Sequence, residues 1–334
     1  MSTRQKKLKR GLVCMNLFLI IILFAFTFSW AAGEKYPQRN IEMIISFPPG
    51  GPVDLMTRIL AKYMEKEFKV PVIPVNKPGG GGSLGAGIVA SSPPDGHTLS
   101  IMVPSSIIMP VLRKEVNFLI EDFKPIGQVA NPPPVLFITY PDSPWKTFKD
   151  FIDYAKKNPG IKCGHPPITT VNALKFMFIN KYENLKLVGV PFKTDPEILV
   201  AILGKHIPVA TISSVAIKGP VEAGKVRVLF SFNPISETGI KIDPPPPDFE
   251  SFFGKKPPFD FGFYLWCNSK TPNEVVEILK RTIEKIVKSP EYDNDLRKIG
   301  YSANYTDGEI FMKNEFPQIV NLVREGLKEA GLIK

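Results

Sequence analysis

The chain has 334 residues, of which 44% are hydrophobic and 22% are charged, and its formal net charge is +10. This composition is typical of one or two globular domains and excludes disordered, collagen-like and multi-pass membrane proteins. The three cysteines are too few for a disulfide scaffold and lack the spacing of a zinc site. We expect no bound metal. We also expect Cys163 and Cys267 to be buried separately, with a single bridge as the alternative.

The first 31 residues have the pattern of an export signal. Five basic residues lie within the first ten positions, an apolar run follows at 12–28, and Ser29-Trp30-Ala31 ends the segment. We predict a signal peptide over 1–31 with cleavage after Ala31, and therefore a periplasmic protein. An uncleaved anchor helix is the alternative. The remaining chain has a net charge of about +5, and its scattered lysines form no aromatic-rich basic stripe, so no nucleic acid partner is expected.

After residue 36 the apolar pattern alternates between the periods of strands and helices, which is typical of an α/β fold. The first predicted elements are a strand at 41–47, a helix at 53–68, a strand at 70–75, a helix at 84–90 and a strand at 98–103. Further on, Thr147 and Asp150 form a capping-box pattern before a helix of a second α/β unit. Three helices are predicted to close the chain, beginning near Pro272, Pro290 and Asp307.

Proline clusters at 132–134 and 244–247 interrupt both helix and strand patterns. We therefore predict two lobes joined by two crossings. Lobe 1 comprises 36–130 and 226–334, and lobe 2 comprises 131–225. A strand at 226–230 is expected to lead the chain back to lobe 1 and its C-terminal helices.

Two glycine-rich turns are candidates for ligand binding. The turn at 80–85 has the G-x-G-x-x-G spacing of a dinucleotide site, but three residues separate it from the strand and no acidic residue follows at the required distance. We therefore predict no cofactor. The turn at 47–54 places backbone N–H groups at a helix N-terminus, where an anion such as a carboxylate is favoured. An ordinary strand-to-helix turn is the alternative.

The sequence gives little support for nucleophilic catalysis. Its three histidines, His97, His165 and His206, have no companion motif, and Ser105-Ser106 lacks the glycines of a nucleophile elbow. His165 lies in a Gly/Pro-rich loop that can line a cleft. We predict that the protein is not an enzyme.

Several motifs in the first hundred residues together resemble one known family. They are Phe47-Pro48-Pro49-Gly50-Gly51 with Asp54 and Arg58, Val75-Asn76 with Pro78-Gly79, and Pro94-Asp95-Gly96. Their order and spacing resemble the extracytoplasmic solute receptors of tripartite tricarboxylate transporters, also called Bug proteins. Weaker similarity continues to Ala330-Gly331, so the resemblance covers essentially the whole chain after the signal segment.

The resemblance implies a type II periplasmic binding protein fold, with two α/β lobes around a ligand cleft. It further implies that the protein binds a small organic carboxylate and delivers it to a membrane permease of two subunits, and we expect it to act as a monomer. The ligand-binding residues implied by this similarity are Phe47, Pro49, Gly50, Gly51, Pro52, Val53, Asp54, Ser105, Ser106, His165, Thr169, Thr170, Phe192 and Lys193. An exported enzyme on a similar scaffold and a ligand-sensing partner of a membrane signalling protein are the alternatives.

The second-lobe loop departs from the family pattern and bears on the ligand. Pro166, Pro167 and Ile168 follow His165 where the family has small and hydroxyl-bearing residues. Basic residues near the predicted cleft are few, chiefly Lys77 and Lys193. We therefore expect a mono- or dicarboxylate with an apolar or aromatic body rather than citrate.

Overall fold

The computed structural model describes residues 36–166, 170–238, 240–255, 262–329 and 331–334. The expected signal peptide and its cleavage point lie outside these residues, as do Pro167, Ile168 and Thr169. Within the described ranges, no helix has both the length and the apolar composition needed to cross a bilayer. Residues 39–334 form one compact unit.

The first sheet is built mainly from the amino-terminal part of the chain. Its strands are β1 (Ile41–Ile45), β2 (Val72–Asn76), β3 (Thr98–Met102), β4 (Phe123–Ala130) and β10 (Phe263–Asn268). The strand order is β2-β1-β3-β10-β4. Strand β1 is parallel to β2 and β3, whereas β10 is antiparallel to β3 and β4. The three parallel strands therefore end at one edge of the sheet.

Helices alternate with these parallel strands, as the sequence predicts. Helix α1 (Pro52–Phe68) follows β1, α2 (Ser83–Ser91) follows β2, and α3 (Ser105–Leu112) follows β3. Helix α1 turns an apolar face to the sheet, where Met56 and Leu60 have no exposed surface. Burial of this face against the sheet fixes the position of the loop that precedes α1.

The second sheet is formed by the middle of the chain. Its strands are β5 (Val135–Thr139), β6 (Lys162–His165), β7 (Val188–Pro191), β8 (Val209–Ser213) and β9 (Arg227–Ser231). The strand order is β7-β6-β8-β5-β9. Strands β6, β7 and β8 are parallel, and β5 is antiparallel to β8 and β9. This sheet thus repeats the arrangement of the first one.

The helices associated with the second sheet are mostly capped by side chains. They are α4 (Phe148–Lys157), α5 (Val171–Tyr182), α6 (Asp195–Leu203), α7 (Ser214–Glu222) and α8 (Phe249–Phe253). The predicted capping box of α4 is confirmed, since the Asp150 N–H donates to the Thr147 hydroxyl and the Thr147 N–H donates to the Asp150 carboxylate.

Strand β9 lies in a different sheet from the one expected. The sequence places a strand at 226–230 on the way back to lobe 1, but β9 pairs with β5, with Phe230 opposite Phe137. The Phe230 ring also stacks on Phe148 at a centroid distance of 4.4 Å. The second sheet therefore extends past residue 225, and the chain returns to the first sheet only with β10. Apolar periodicity identifies a strand but does not specify which sheet edge it joins.

Four helices follow β10 in the part of the chain that the structure describes, one more than predicted. They are α9 (Asn273–Val287), α10 (Pro290–Arg297), α11 (Gly308–Asn314) and α12 (Phe316–Glu329). The predicted last helix is divided at Glu315. Helix α12 packs closely on α5, because a Cβ built on Gly326 would lie 3.1 Å from the Met177 methyl group. The C-terminal helix thereby contacts a helix of the second sheet.

The two cysteines of the described chain are buried in different sheets. Cys163 lies on β6 and Cys267 on β10, and both are free thiols. Burial raises the pKa of the Cys267 thiol to about 11. The expectation of separate burial is confirmed, and neither thiol has the exposure and low pKa of a reactive cysteine.

Candidate functional site

The candidate site lies at the edge where the parallel strands of the first sheet end, the usual position of ligands in α/β folds. The loop at 46–51 follows β1, Asn76 ends β2, and α3 follows β3. A Cβ built on Gly82 would lie 3.4 Å from both the Phe47 ring and the Ser106 hydroxyl. The two glycine turns and the serine pair therefore meet at this edge.

The Asp54 side chain connects the loop at 46–51 to its neighbours by hydrogen bonds. Its side chain is 3% exposed, and Oδ2 accepts the N–H of Gly50 at 2.9 Å. Arg58 donates through Nε and Nη2 at 2.9 to 3.1 Å, and the Asn76 amide donates to Oδ1 at 2.9 Å. The same amide also donates to the Phe47 carbonyl at 3.1 Å. These contacts tie the loop to α1 and to β2.

The Asp54 carboxylate is strongly held in its charged form. The Arg58 guanidinium lowers the pKa of Asp54 to about 2, assisted by the Gly50 N–H and the Asn76 amide. Since its oxygens are engaged by these donors, Asp54 supports the loop rather than offering an acceptor to a ligand. The family resemblance implies Asp54 as a ligand-binding residue, but the geometry of its side chain is that of a structural anchor.

The backbone donors of the loop differ in their availability. The Gly50 N–H is used by Asp54, and Pro52 has no N–H. Among the described residues, the N–H groups of Gly51, Val53 and Asp54 have no acceptor. Gly50 thus shapes the loop, with its φ of 81° in the left-handed region. Three donors remain for a ligand.

Glycine at the N-cap position explains why these donors are uncovered. In a typical helix the N-cap side chain accepts the N–H group of the second or third position. Thr147 and Thr194 do this for their helices. Gly51, the N-cap of α1, has no side chain to do so, and the second and third positions are Val53 and Asp54. An external anion can take the place of the missing capping oxygen.

The other predicted residues of the first sheet lie around these donors. Pro49 and Pro52 are exposed, Phe47 is half-buried, and Ser105 is 2% exposed at the start of α3. Ser106 is half-buried beside Gly82. An aromatic ring and a hydroxyl group therefore lie at the same edge of the first sheet as the amino end of α1.

Sequence reasoning missed Ser46 and the role of Asn76. Ser46 is 1% exposed, and its hydroxyl has no partner among the described residues. A Cβ at Gly85 would lie 2.2 Å from the Ser46 Oγ, so α2 can approach β1 only because residue 85 is glycine. A polar residue at the carboxyl end of each of two neighbouring parallel strands was the available signal.

The predicted residues of the second sheet also lie at the carboxyl ends of parallel strands. His165 ends β6, and Phe192 and Lys193 follow β7. Thr170 caps α5, and its hydroxyl accepts the Ala173 N–H. Thr169 lies outside the described residues.

His165 packs inward rather than standing free. It is 7% exposed, and its ring stacks on Phe176 at a centroid distance of 5.1 Å. Nδ1 lies 2.6 Å from the Pro166 carbonyl, which can only accept, so Nδ1 carries the proton in the neutral ring. Burial lowers the pKa of His165. The ring is therefore neutral at neutral pH and supplies no positive charge.

An acidic residue that the sequence did not single out lies at the same edge of the second sheet. Asp195 opens α6 and accepts the Ser213 N–H at 3.2 Å, and burial raises its pKa. Lys193 and Lys77 are exposed. The guanidinium of Arg58 is engaged by Asp54. The carboxyl-end edges of the two sheets thus offer few cations to a ligand, and the edge of the second sheet also carries the Asp195 carboxyl group.

Comparison with known proteins identifies the family. The model of the tripartite tricarboxylate transporter family receptor matches residues 56–319. The chain belongs to this receptor family. It is also 30% identical over 286 residues to the UPF0065 protein in the gbd 5' region of Cupriavidus necator, covering 84% of each chain.

Solved structures agree with the family and establish the fold. A TctC solute-binding protein from Polaromonas superposes with a TM-score of 0.75 at 23% identity, covering 88% of this chain and 99% of that one. A Rhodopseudomonas palustris protein with adipate gives 0.62 at 21% identity over 89% and 98% of the chains. A second R. palustris protein, with bound malate, gives 0.57 at 20% over 90% and 100%. The receptor therefore has the type II periplasmic binding protein fold, with two α/β lobes around a cleft, as predicted.

Proposed function

We propose that this receptor binds a small organic mono- or dicarboxylate with an apolar or aromatic body, in the periplasm, and delivers it to the permease of a tripartite transporter. One ligand carboxylate is bound by the amino end of α1. The matching family model is that of a transporter receptor, and the site offers a place for an anion.

The observation that carries this proposal is the uncapped amino end of α1. The N–H groups of Gly51, Val53 and Asp54 lack acceptors among the described residues, and the helix dipole adds about half a positive elementary charge there. A carboxylate has two oxygens that can accept these donors, whereas a neutral acceptor gains less from the dipole and a cation is repelled. The hydroxyl of Ser106 lies beside Gly82, whose Cβ position is also in contact with the Phe47 ring.

The local charges favour one or two ligand carboxylates over three. Arg58 is neutralised by Asp54, and Asp195 adds a carboxyl group at the second edge. Lys77 and Lys193 are exposed and strongly hydrated. A half charge at a helix terminus compensates one carboxylate but not a tricarboxylate. Adipate and malate, which two structures of this fold contain, are both dicarboxylates.

Aromatic side chains at both edges support an apolar ligand body. Phe47 is half-buried at the first edge, and Phe192 is half-buried at the second, where its ring would lie 3.2 Å from a Cβ on Gly164. A ligand that covers the partly exposed apolar surface of these rings removes that surface from water, which stabilises the complex. Citrate presents little apolar surface and cannot use these rings.

The chain organisation fits a hinge mechanism. The chain passes between the sheets at the β4–β5 connection and again between β9 and β10. We propose that closure of the lobes about these crossings buries the ligand. Export would follow from the signal segment over 1–31, with cleavage after Ala31 producing the periplasmic form.

A thermal-shift screen over carboxylates tests the proposal. Because a ligand that binds only the folded state at about 100 times its Kd stabilises it by about 2.7 kcal/mol, aliphatic or aromatic mono- and dicarboxylates are expected to raise the melting temperature. Citrate at the same concentration is expected to have a much smaller effect. The corresponding amides, which lack the charge, serve as matched controls. A strong response to citrate with none to the other acids would overturn the assignment.

A further inference from the structure

The positive charge of the receptor is concentrated in the segment that carries most of the second sheet. Residues 131–225 contain twelve lysines and seven acidic residues, an excess that equals the whole net charge of residues 32–334. The rest of the chain after residue 31 is therefore neutral overall. Lysines at helix C-terminal ends are common because they compensate the helix dipole. Compensation of helix dipoles applies to the helices of both sheets, so it does not explain why only residues 131–225 have a net positive charge.

The strand register places many of these lysines at one end of the second sheet. Lys162 opens β6 opposite Val188 of β7, and Cys163 lies opposite Val209 of β8. Lys157 ends the helix before β6, Lys186 precedes β7, and Lys225 precedes β9. Since β5 runs antiparallel, Thr139 and Arg227 reach the same end. We call this set, Lys157, Lys162, Lys186 and Lys225, the basic end; it lies opposite the strand ends that carry His165 and Phe192.

The four lysines of the basic end are available to a partner. All are exposed, and none forms an ion pair with another residue in the described ranges. Two neighbours are neutralised, because Lys156 pairs with Glu183 and Lys205 pairs with Asp142. The basic end therefore keeps an uncompensated positive charge.

Exposed apolar side chains surround the basic end. Val188, the first residue of β7, is 50% exposed, and Leu203, the last residue of α6, is 43% exposed. Tyr154 lies in the last turn of α4 and is 45% exposed. Apolar and tyrosine side chains among lysines are typical of surfaces that lie in the headgroup region of a bilayer, because the rings and stems enter the interface while the ammonium groups meet phosphates.

We infer that the basic end of the second sheet is a docking surface for anionic phospholipid. Lysine suits this partner, since a compact ammonium group contacts headgroup phosphates without the fixed geometry of an arginine pair. The lysines are spread across several strand and helix ends rather than gathered around a pocket, which fits a flat, diffuse anionic surface. Such docking would hold the receptor at the membrane, so that its search for a membrane partner takes place in two dimensions.

Vesicle co-sedimentation tests this inference in the chain from residue 32 onward, which contains both sheets within one compact unit. The probes are vesicles of phosphatidylglycerol and of phosphatidylcholine, each at low and high salt. We expect binding to phosphatidylglycerol that weakens with salt, and little binding to phosphatidylcholine. Each lysine at an anionic surface contributes about a fivefold gain in partitioning, so the triple variant K157E/K162E/K186E is expected to lose at least about a hundredfold.

A charge-matched variant distinguishes binding through the basic end from an effect of the net charge alone. K66E/K313E/K328E makes the same change at exposed lysines on helices that pack with the first sheet, and it is expected to keep most of the binding. Neither variant alters a residue proposed for the carboxylate site, so the ligand-induced thermal shift should persist in both. Equal losses in the two variants, equal binding to phosphatidylcholine, or preferential binding to soluble polyglutamate would overturn the inference.

Discussion

Replacement of Asp54 by alanine is expected to destabilise the folded receptor by about 3 kcal/mol, measured by urea denaturation at neutral pH. The substitution leaves the Gly50 N–H, the Asn76 amide and the Arg58 guanidinium without their shared acceptor. A buried polar group left unpaired costs about 1–3 kcal/mol. Because Gly50 and Arg58 have access to water and the Asn76 amide keeps its bond to the Phe47 carbonyl, we expect a total near the lower sum. Asp54→Asn retains the size but loses the charge, and we expect about 2 kcal/mol.

The pH dependence of stability identifies the Asp54 contribution. The pKa of Asp54 is about 2 in the folded chain, held down by Arg58, and about 3.9 when unfolded. The folded state thus favours the charged form, so the stabilisation is complete above about pH 4 and is lost as the pH falls towards 2. The difference in free energy of unfolding between the wild type and Asp54→Asn should shrink over this window.

Asp153→Asn provides a matched control. Asp153 also pairs with a basic residue four positions away, Lys149, but the two side chains are 56% and 72% exposed. Exposed ion pairs contribute about 0.2–1 kcal/mol at most. We therefore expect a small change in stability from this variant. A loss as large as that of Asp54→Asn, or parallel pH profiles for wild type and Asp54→Asn, would contradict the anchoring role.

Local pattern predicts much of the first sheet but less of the second. The βαβαβ order up to β3 follows from period-2 and period-3.6 apolar spacing with glycine and proline at the boundaries, and the structure confirms it. The position of β9 could not be predicted in this way. Its pairing with β5 is accompanied by the long-range contact of Phe230 with Phe148, which no local apolar pattern specifies.

The details of the site depend on which direction each side chain and N–H group faces. The sequence indicates the loop at 47–54, but only the structure shows that the Gly50 N–H is used internally by Asp54. His165 illustrates the same limit. Cys163 and His165 alternate with Gly164 along β6, and the face they share packs against Phe176. Because every second residue of a strand lies on the same face, the burial of Cys163 would have placed His165 on that face as well.

Replacement of Gly51 is expected to separate ligand binding from stability. Gly51 has a φ of −77°, which any residue adopts, and a Cβ there would be 3.4 Å from the Pro48 carbonyl oxygen, an acceptable contact. Gly50 has a φ of 81°, so a side chain at that position strains the backbone before any ligand is considered. Gly51 is therefore the cleaner position to test, and Gly51→Val is expected to fold and to lose the ligand.

Gly51→Asp gives the most discriminating result, because it should change stability and affinity in opposite directions. An aspartate at the N-cap can accept the N–H groups of Val53 and Asp54 and complement the dipole of α1, which adds a few tenths of a kcal/mol or more to stability. The same carboxylate occupies the place proposed for the ligand. Calorimetric titration with a carboxylate found in the screen should therefore show a loss of at least about a hundredfold in affinity, equivalent to about 2.7 kcal/mol.

The control variant is Gly219→Asp, the same change at an exposed position on α7 with nothing within 4 Å of the new Cβ. It should bind the ligand as the wild type does. Unaltered affinity in Gly51→Asp would show that the ligand does not use the amino end of α1.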